Sequence, residues 1–375
     1  MIQRLYVNNF RCLENFELSL TGLNSALLIG RNGTGKTTIS YALEVFQQIG
    51  RGKNKVGDLV APNDFTRGHT DVPMRFELET IINGQLYKYI LALELPEGLK
   101  ELKIAEEQLL IDGKPIYSRK GGEVSLYKNP QSDKTAQNES LFVIDWHLVA
   151  LPIIQKQSDK DPLQVFQSWL MRIIILSPIP SVMTGESNGS TLYPKREVSN
   201  FGEWFTGVLL RYPAAYSIID KHIKAIIPDF ASIENELLAK DARELTIQFA
   251  LEGKGSLNID FKNLSDGEKC FFLCALVLAV NKYYEPCFCY WDEPDNYLSL
   301  PEVGHFVMAL RHSFKQGGQL LVSSHNPQAI ERFSDENTFV IDRKSHLEPT
   351  LIRPLIELHR TGDLITSIIC GDISL

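Results

Sequence analysis

Gly30-Arg31-Asn32-Gly33-Thr34-Gly35-Lys36-Thr37-Thr38 follows the spacing G-x-x-x-x-G-K-[ST], a pattern suited to holding phosphate. Glycines at 30, 33 and 35 let the backbone curl until successive N–H groups face an anion. Lys36 brings a positive charge to the outer phosphates. The Thr37 hydroxyl is a hard oxygen donor of the kind Mg²⁺ prefers. Asn32 and Thr38 share the loop and count with it as nucleotide-binding candidates. A second group lies far along the chain. Asp292-Glu293 ends the apolar run Cys287-Phe288-Cys289-Tyr290-Trp291, and His325 follows the apolar run Gln319-Leu320-Leu321-Val322. In open α/β sheets, strand carboxyl ends are where ligands bind.

The flanking sequence suits the loop. Ser25-Ala26-Leu27-Leu28-Ile29 reads as a buried strand running into it. Ile39, Ala42, Leu43 and Phe46 then recur at helical spacing, and Gly50 ends the run. A chance match to the pattern is the plainer alternative; the strand–loop–helix context argues against it.

At 375 residues the chain makes one large domain or two ordinary ones, and 44% hydrophobic content is ample for a core. A formal net charge of −8 excludes a surface basic all over, though not a local basic groove. The six cysteines form no C-x-x-C pair, which points to reduced thiols and a cytoplasmic location. Cys287 and Cys289 read as core rather than metal ligands. Met1-Ile2-Gln3-Arg4 leads directly into a strand pattern, with no secretory leader, and the apolar run from Phe271 to Val280 is too short to span a bilayer. No membrane partner is expected. Sustained heptads and internal repeats are absent.

In chain order, residues 1–29 read as three strands. Residues 51–72 read as a polar loop in which Arg51, Lys53 and Lys55 are either solvated or contact nucleic acid. From 73 to 128 the period changes to two. Asn83-Gly84, Asp112-Gly113 and Gly121-Gly122 mark hairpins of an antiparallel β layer. Asn129-Pro130-Gln131-Ser132-Asp133 opens a polar loop over 129–141. From about 142 to 245 the reading is helical: Asp161 caps a helix with Pro162 at its first position, and Asn200 caps another. Residues 183–199 read as loop. Gly253-Lys254-Gly255 marks a further hairpin, and a helix apolar nearly all round follows residue 269. The expected divisions are an N-terminal lobe over 1–141, a helical insert over 142–262 and a C-terminal lobe over 263–375.

Taken jointly, these segments resemble the ABC-type ATPases of the SMC/RecF/OLD superfamily, over essentially the whole chain. The phosphate loop at 30–37 is one element. Leu264-Ser265-Asp266-Gly267-Glu268 resembles the signature L-S-G-G-Q, with Asp and Glu at its third and fifth positions. Asp292-Glu293-Pro294 resembles a Walker B end with its glutamate, and Asp295-Asn296-Tyr297-Leu298 lies where the D-loop begins. His325 stands where the switch histidine does, and Asn9-Phe10-Arg11 resembles an N-F-[RK] opening. The resemblance implies an α/β head: a mostly parallel sheet around the phosphate loop, an antiparallel β layer, and a helical subdomain carrying the signature. It implies ATP and Mg²⁺ as cofactors. Lys36 and Thr37 would hold phosphate and metal, Asp292 the metal, Glu293 the attacking water, and His325 the γ-phosphate or that water. Ser265 and Gly267 would act in trans on nucleotide held by a second copy, so that ATP bridges a homodimer or higher oligomer. Arg11 is open to two readings, an ordinary surface charge or a contact to nucleotide. Gln155 and Gln157 are both candidates for the Q-loop.

Absent parts narrow the role. Without long heptads this is not a coiled-coil-armed SMC protein. The chain after His325 is too short for a fused TOPRIM nuclease domain, and residues 142–245 lack the clustered carboxylates or histidines of a nuclease. The favoured expectation resembles the stand-alone ATPase subunits of bacterial anti-phage defence systems such as the Septu and PARIS types. Such a subunit is a nucleotide-switched scaffold working with a separately encoded effector nuclease or toxin. The alternative is a RecF-like DNA-binding ATPase of repair or recombination. A transporter's ATPase subunit is the weakest fit.

Overall fold

The computed structural model describes residues 1–127, 138–156, 158–238, 241–284 and 287–358. Its regular elements, in chain order, are β1 (Ile2–Asn8), β2 (Phe16–Ser19), β3 (Ser25–Ile29), α1 (Lys36–Gly50), β4 (Met74–Ile82), β5 (Gln85–Glu94), β6 (Lys103–Ile111), β7 (Lys114–Lys120), β8 (Glu123–Tyr127), β9 (Asn138–Val143) and α2 (Pro162–Met171). There follow β10 (Ile174–Leu176), α3 (Phe201–Arg211), α4 (Ala215–Ile226), β11 (Phe230–Leu237), β12 (Arg243–Leu251), β13 (Gly255–Asp260), α5 (Asp266–Tyr283), β14 (Phe288–Asp292), α6 (Leu300–Lys315), β15 (Gln319–Ser323), α7 (Pro327–Ile330), β16 (Thr338–Asp342) and β17 (Leu351–Pro354). Two compact units result: Met1–Leu23, Ile29–Ile173 and the chain from Thr338 form the first, and Asn24–Leu28 with Ile174–Asn337 the second.

The first unit is built on an eight-stranded antiparallel sheet in the order β2-β1-β4-β5-β6-β7-β8-β9. Alternation sets its register: Leu5 lies opposite Leu78, and Leu78 opposite Tyr89. That apolar face packs on α1, where the Phe46 ring stands 6.3 Å from Phe76 and 6.1 Å from Tyr89, both edge-on. The opposite face carries a ladder of charges in which Glu77 bonds Arg4 and Arg75. Asn83 and Gly84 (φ 52° and 80°) and Asp112 and Gly113 (φ 49° and 79°) make the two-residue turns their sequences demand. Glu107, fully buried on β6, is the sheet's polar pin. Its carboxylate accepts from the hydroxyls of Tyr89 and Tyr117 and from the backbone N–H groups of Ala150 and Leu151. Asp161 caps α2 by accepting from Leu163 N at 2.9 Å. Also in this unit, β16 pairs antiparallel with β17.

The second unit contains four parallel strands in the order β10-β14-β15-β3. Buried on both faces, they read as continuous apolar runs rather than alternations. Helix α5 is buried on every side from Lys269 to Asn281, which accounts for its unbroken apolar sequence. A three-stranded antiparallel sheet, β11-β12-β13, adjoins it, with Phe230 edge-on to Phe272 at 5.9 Å.

Several local expectations differ from the structure. The stretch 142–245 is not helical throughout: besides its three helices it contains the end of β9, all of β10 and β11 and the start of β12. Ile174-Ile175-Leu176 is a short all-apolar run, whose periodicity does not separate strand from helix. Asn200 precedes α3 without capping it. Its amide instead accepts from Lys195 N at 2.8 Å and donates to Tyr193 O at 3.1 Å, folding back the preceding loop. The β layer expected over 73–128 is wider, taking in β1, β2 and β9. Of the loop expected over 129–141, Asn138 onward is strand β9, and the remainder, with Gln157 and Cys370, lies outside the described residues.

Candidate nucleotide site

The loop at 30–35 follows β3, five consecutive buried residues. Two left-handed glycines shape it, Gly33 (φ 80°) and Gly35 (φ 108°). A Cβ on Gly30 would collide with the Ile341 carbonyl of β16. A Cβ on Gly35 would meet Thr350 Oγ1 at 2.7 Å and Cys12 Sγ at 2.9 Å. The Thr34 hydroxyl donates to Arg31 O at 2.8 Å and closes the turn. Lys36 is buried, its ammonium donating to Gly30 O at 2.7 Å and Arg31 O at 3.2 Å, so the cation is drawn across the loop's own carbonyls. Thr37, Asn32 and Gly33 are exposed. Cys12 Sγ lies 3.5 Å from Thr38 Oγ1. Helix α1 begins with Gly35 as its cap, with no side-chain cap and no acidic residue in its first turn. Its own cap and first turn therefore place no negative charge at its positive end, a condition that favours receiving an anion.

Arg11 packs beside the same helix. Its backbone is left-handed (φ 53°), its Nε donates to Asp64 Oδ1 at 2.8 Å, and its guanidinium lies 4.1 Å from the centre of the Tyr41 ring. Asn9 is a staple: its amide donates to His69 O and Val72 O and accepts from Thr66 N. Arg51 donates to the carbonyls of Met171 and Ile173 at the end of α2.

In the second unit the parallel register sets Asp292 opposite Ser323, and Ser323 opposite Leu28, two residues before Gly30. The Ser323 hydroxyl donates to Asp292 Oδ1 and also accepts from Glu293 N at 3.1 Å. Tyr290 reaches the same Asp292 oxygen at 3.4 Å. Glu293 stands in the left-handed region (φ 49°), uncommon for a non-glycine residue. Its Oε2 accepts from Asn296 Nδ2 at 2.8 Å, and its Oε1 lies 3.3 Å from His325 Nε2. Asp295, next to them, is buried, and its Oδ1 has no hydrogen-bond partner among the described residues. Burial pushes its carboxyl above the usual range, against the bond from Ser324. Asn326 caps α7 by accepting from Gln328 N at 2.9 Å, fixing the chain just past His325.

Ser265 caps α5 in a reciprocal box. Its N–H and hydroxyl both donate to Glu268 Oε2, at 2.8 Å and 2.7 Å, and its Oγ accepts from Glu268 N at 3.3 Å. A Cβ on Gly267 would stand 3.2 Å from Tyr297 O, so α5 begins hard against the segment following β14. Lys269 is buried with its ammonium on Pro180 O at 3.0 Å, a structural role. Gln155 is exposed. Asp292, Glu293 and His325 thus gather at neighbouring strand ends of one unit, and Gly30, Gly35, Lys36, Thr37 and Thr38 gather at the start of α1 in the other. Sequence reasoning missed Asp64, Thr350 and the Asn296 grip on Glu293.

Residues 1–137 match the protein-family model described as an AAA ATPase domain. A 45-residue stretch is 49% identical to a protein named OLD nuclease from Thermus scotoductus, covering 12% of this chain and 8% of that protein. Among solved structures, an SMC head bound to the C-terminal winged-helix domain of ScpA superposes with a TM-score of 0.53 at 15% identity, over 94% of this chain and 98% of that one. The SMC head with an extended coiled coil from Pyrococcus furiosus, bound to the C-terminal domain of ScpA, gives 0.51 at 14% identity, over 95% and 97%. The chain therefore has the fold of an SMC ATPase head. Among the described residues no helix is long and apolar enough to cross a membrane.

Proposed function

We propose that the chain is an ATP-binding and ATP-hydrolysing protein of the SMC/OLD type. One observation carries this reading: a glycine loop closed by Lys36 opens an α-helix that has neither a side-chain cap nor an acidic first turn. Lys36 would leave the Gly30 and Arg31 carbonyls for the β- and γ-phosphates. The Thr37 hydroxyl and the Asp292 carboxylate are each hard oxygen donors of the kind Mg²⁺ takes, and the metal would supply charge neutralisation on the phosphates. Glu293 would accept the proton of the attacking water or orient it, and His325 would bond that water or the γ-phosphate. Such a set works by positioning and charge, as phosphoryl transfer requires.

At the level of role, the chain is a nucleotide-switched scaffold or sensor. ATP held by one copy is closed over by Ser265 and Gly267 of a second, and the pair works with a separately encoded effector nuclease or toxin in anti-phage defence, in the cytoplasm. The fold shared with SMC heads, which in those structures carry a bound ScpA domain, supports a head that docks another protein. The DNA-repair reading is weaker because, of the three basic residues Arg51, Lys53 and Lys55, Arg51 donates its guanidinium to two backbone carbonyls, and Lys53 and Lys55 are the exposed ones.

The test uses the Glu293→Gln variant. With Mg-ATP, its mass in solution should double over the nucleotide-free form, and affinity purification from the native host should recover a stoichiometric second protein. A mass unchanged by ATP sinks the bridged pair. Recovery of DNA alone transfers the proposal to the repair class.

A further inference from the structure

We propose that Thr350 is a positioning residue for the phosphate loop and presets the loop's anion-facing geometry. This rests on the reading of residues 30–38 as the nucleotide site.

Past β16, a short strap folds back over the loop. Arg343 ties it internally, donating to Glu348 O at 2.8 Å and His346 O at 2.6 Å. Arg67 holds it from outside, through Leu347 O, and is itself paired with Glu14 at 2.5 Å. Thr350 ends the strap, 2% exposed. Its N–H donates to Cys12 O at 2.9 Å and its hydroxyl donates to Thr34 O at 2.7 Å.

Thr34 O belongs to the peptide that joins Thr34 to Gly35. A trans peptide is planar, with its carbonyl and N–H pointing in opposite directions. A hydroxyl that holds the carbonyl on one side therefore aims the Gly35 N–H to the other. Gly35 has a left-handed φ of 108° and packs against the same hydroxyl. Rotation of the peptide is thus blocked by one bond and one contact, both from Thr350. Before nucleotide arrives, a glycine-rich loop has many backbone states; fixing one removes part of the ordering cost of binding.

The test compares Thr350→Val, which keeps the shape and removes the hydroxyl, with Thr350→Ser, which keeps the hydroxyl. Titration with Mg-ATP should show about a tenfold loss of affinity in Thr350→Val, the worth of one hydrogen bond, and near wild-type affinity in Thr350→Ser. In steady state the valine variant should raise KM about tenfold and move kcat far less. Equal affinity in valine variant and wild type overturns the proposal, as does a serine variant as weak as the valine one. Should Thr350→Val not fold, Thr350→Cys, a weak donor of similar size, should bind at intermediate strength; wild-type affinity there overturns the proposal equally. A wild-type protein that binds no Mg-ATP removes the nucleotide reading and this inference with it. Binding by the wild type with no difference in the variants removes this inference alone.

Discussion

His325 Nε2 lies 3.3 Å from Glu293 Oε1, while Asn296 Nδ2 holds the other carboxylate oxygen at 2.8 Å. Glu293, which we propose acts on the attacking water, is thus gripped at both oxygens, from β15's end and from its own turn. Glu293→Gln should keep Mg-ATP binding and lose about 10²- to 10⁴-fold in turnover, the usual worth of a positioned general base. Phosphate release under saturating ATP measures it. Near-normal turnover would mean that another group handles the water.

Asn296 has a separate consequence. Asn296→Ala leaves Glu293 in place but releases one oxygen, so turnover should fall by about tenfold with ATP affinity little changed. A drop in affinity equal to the drop in turnover would show that Asn296 serves binding instead.

The backbone at Glu293 is strained, with φ at 49°. A left-handed non-glycine residue costs about 1 kcal/mol. Glu293→Gly should therefore be more stable than Glu293→Ala by about that amount. Denaturant midpoints of the two variants decide it; equal midpoints would show that the turn carries no strain.

Glu107 collects four donors at a fully buried site. Glu107→Ala leaves Tyr89, Tyr117 and two backbone N–H groups without their acceptor and should cost about 3–5 kcal/mol. Chemical denaturation reads the loss; a cost below about 1 kcal/mol would mean that water replaces the carboxylate.

Acid sensitivity should follow Glu77. Burial pushes its carboxyl up, but the bonds from Arg75 and Arg4 and the nearby Lys88 outweigh it, and its pKa falls from 4.5 to about 2. The folded value is depressed, so the contribution is present above 4.5 and fades as pH drops through about 2. Glu77→Gln should flatten the stability profile across that window and leave it unchanged near neutrality in slope. An identical acid limb in both proteins would remove Glu77 from the account.

What could be read from the sequence was local chemistry. The phosphate loop, the strand and helix on either side, the Asn-Gly and Asp-Gly turns and the carboxylates ending β14 all have signals within a few residues. Thr350 has none: its partner, Thr34, is 316 residues away and nothing marks a lone threonine. Asp64 under Arg11 and the carbonyls under Arg51 escape for the same reason, since tertiary contacts leave no periodic trace. The strands within 142–245 were hidden otherwise. Ile174-Ile175-Leu176 is too short to show a period, and Asn200, a good cap by residue type, was claimed by the loop before it.

The placement of β3 has a consequence for how the molecule is made. Ser25–Leu28 pairs with Leu320–Ser323, while the chain on both sides of it belongs to the other unit. During synthesis, at about 5–20 residues per second, β3 waits tens of seconds for that neighbour. Throughout, a flat, apolar, unpaired strand sits beside a half-built domain, the kind of segment that invites wrong partners. Nascent chains halted before residue 319 should therefore bind holdase chaperones through residues 25–29, and the strand that delivers the phosphate loop should be among the last pieces to gain protection from amide exchange.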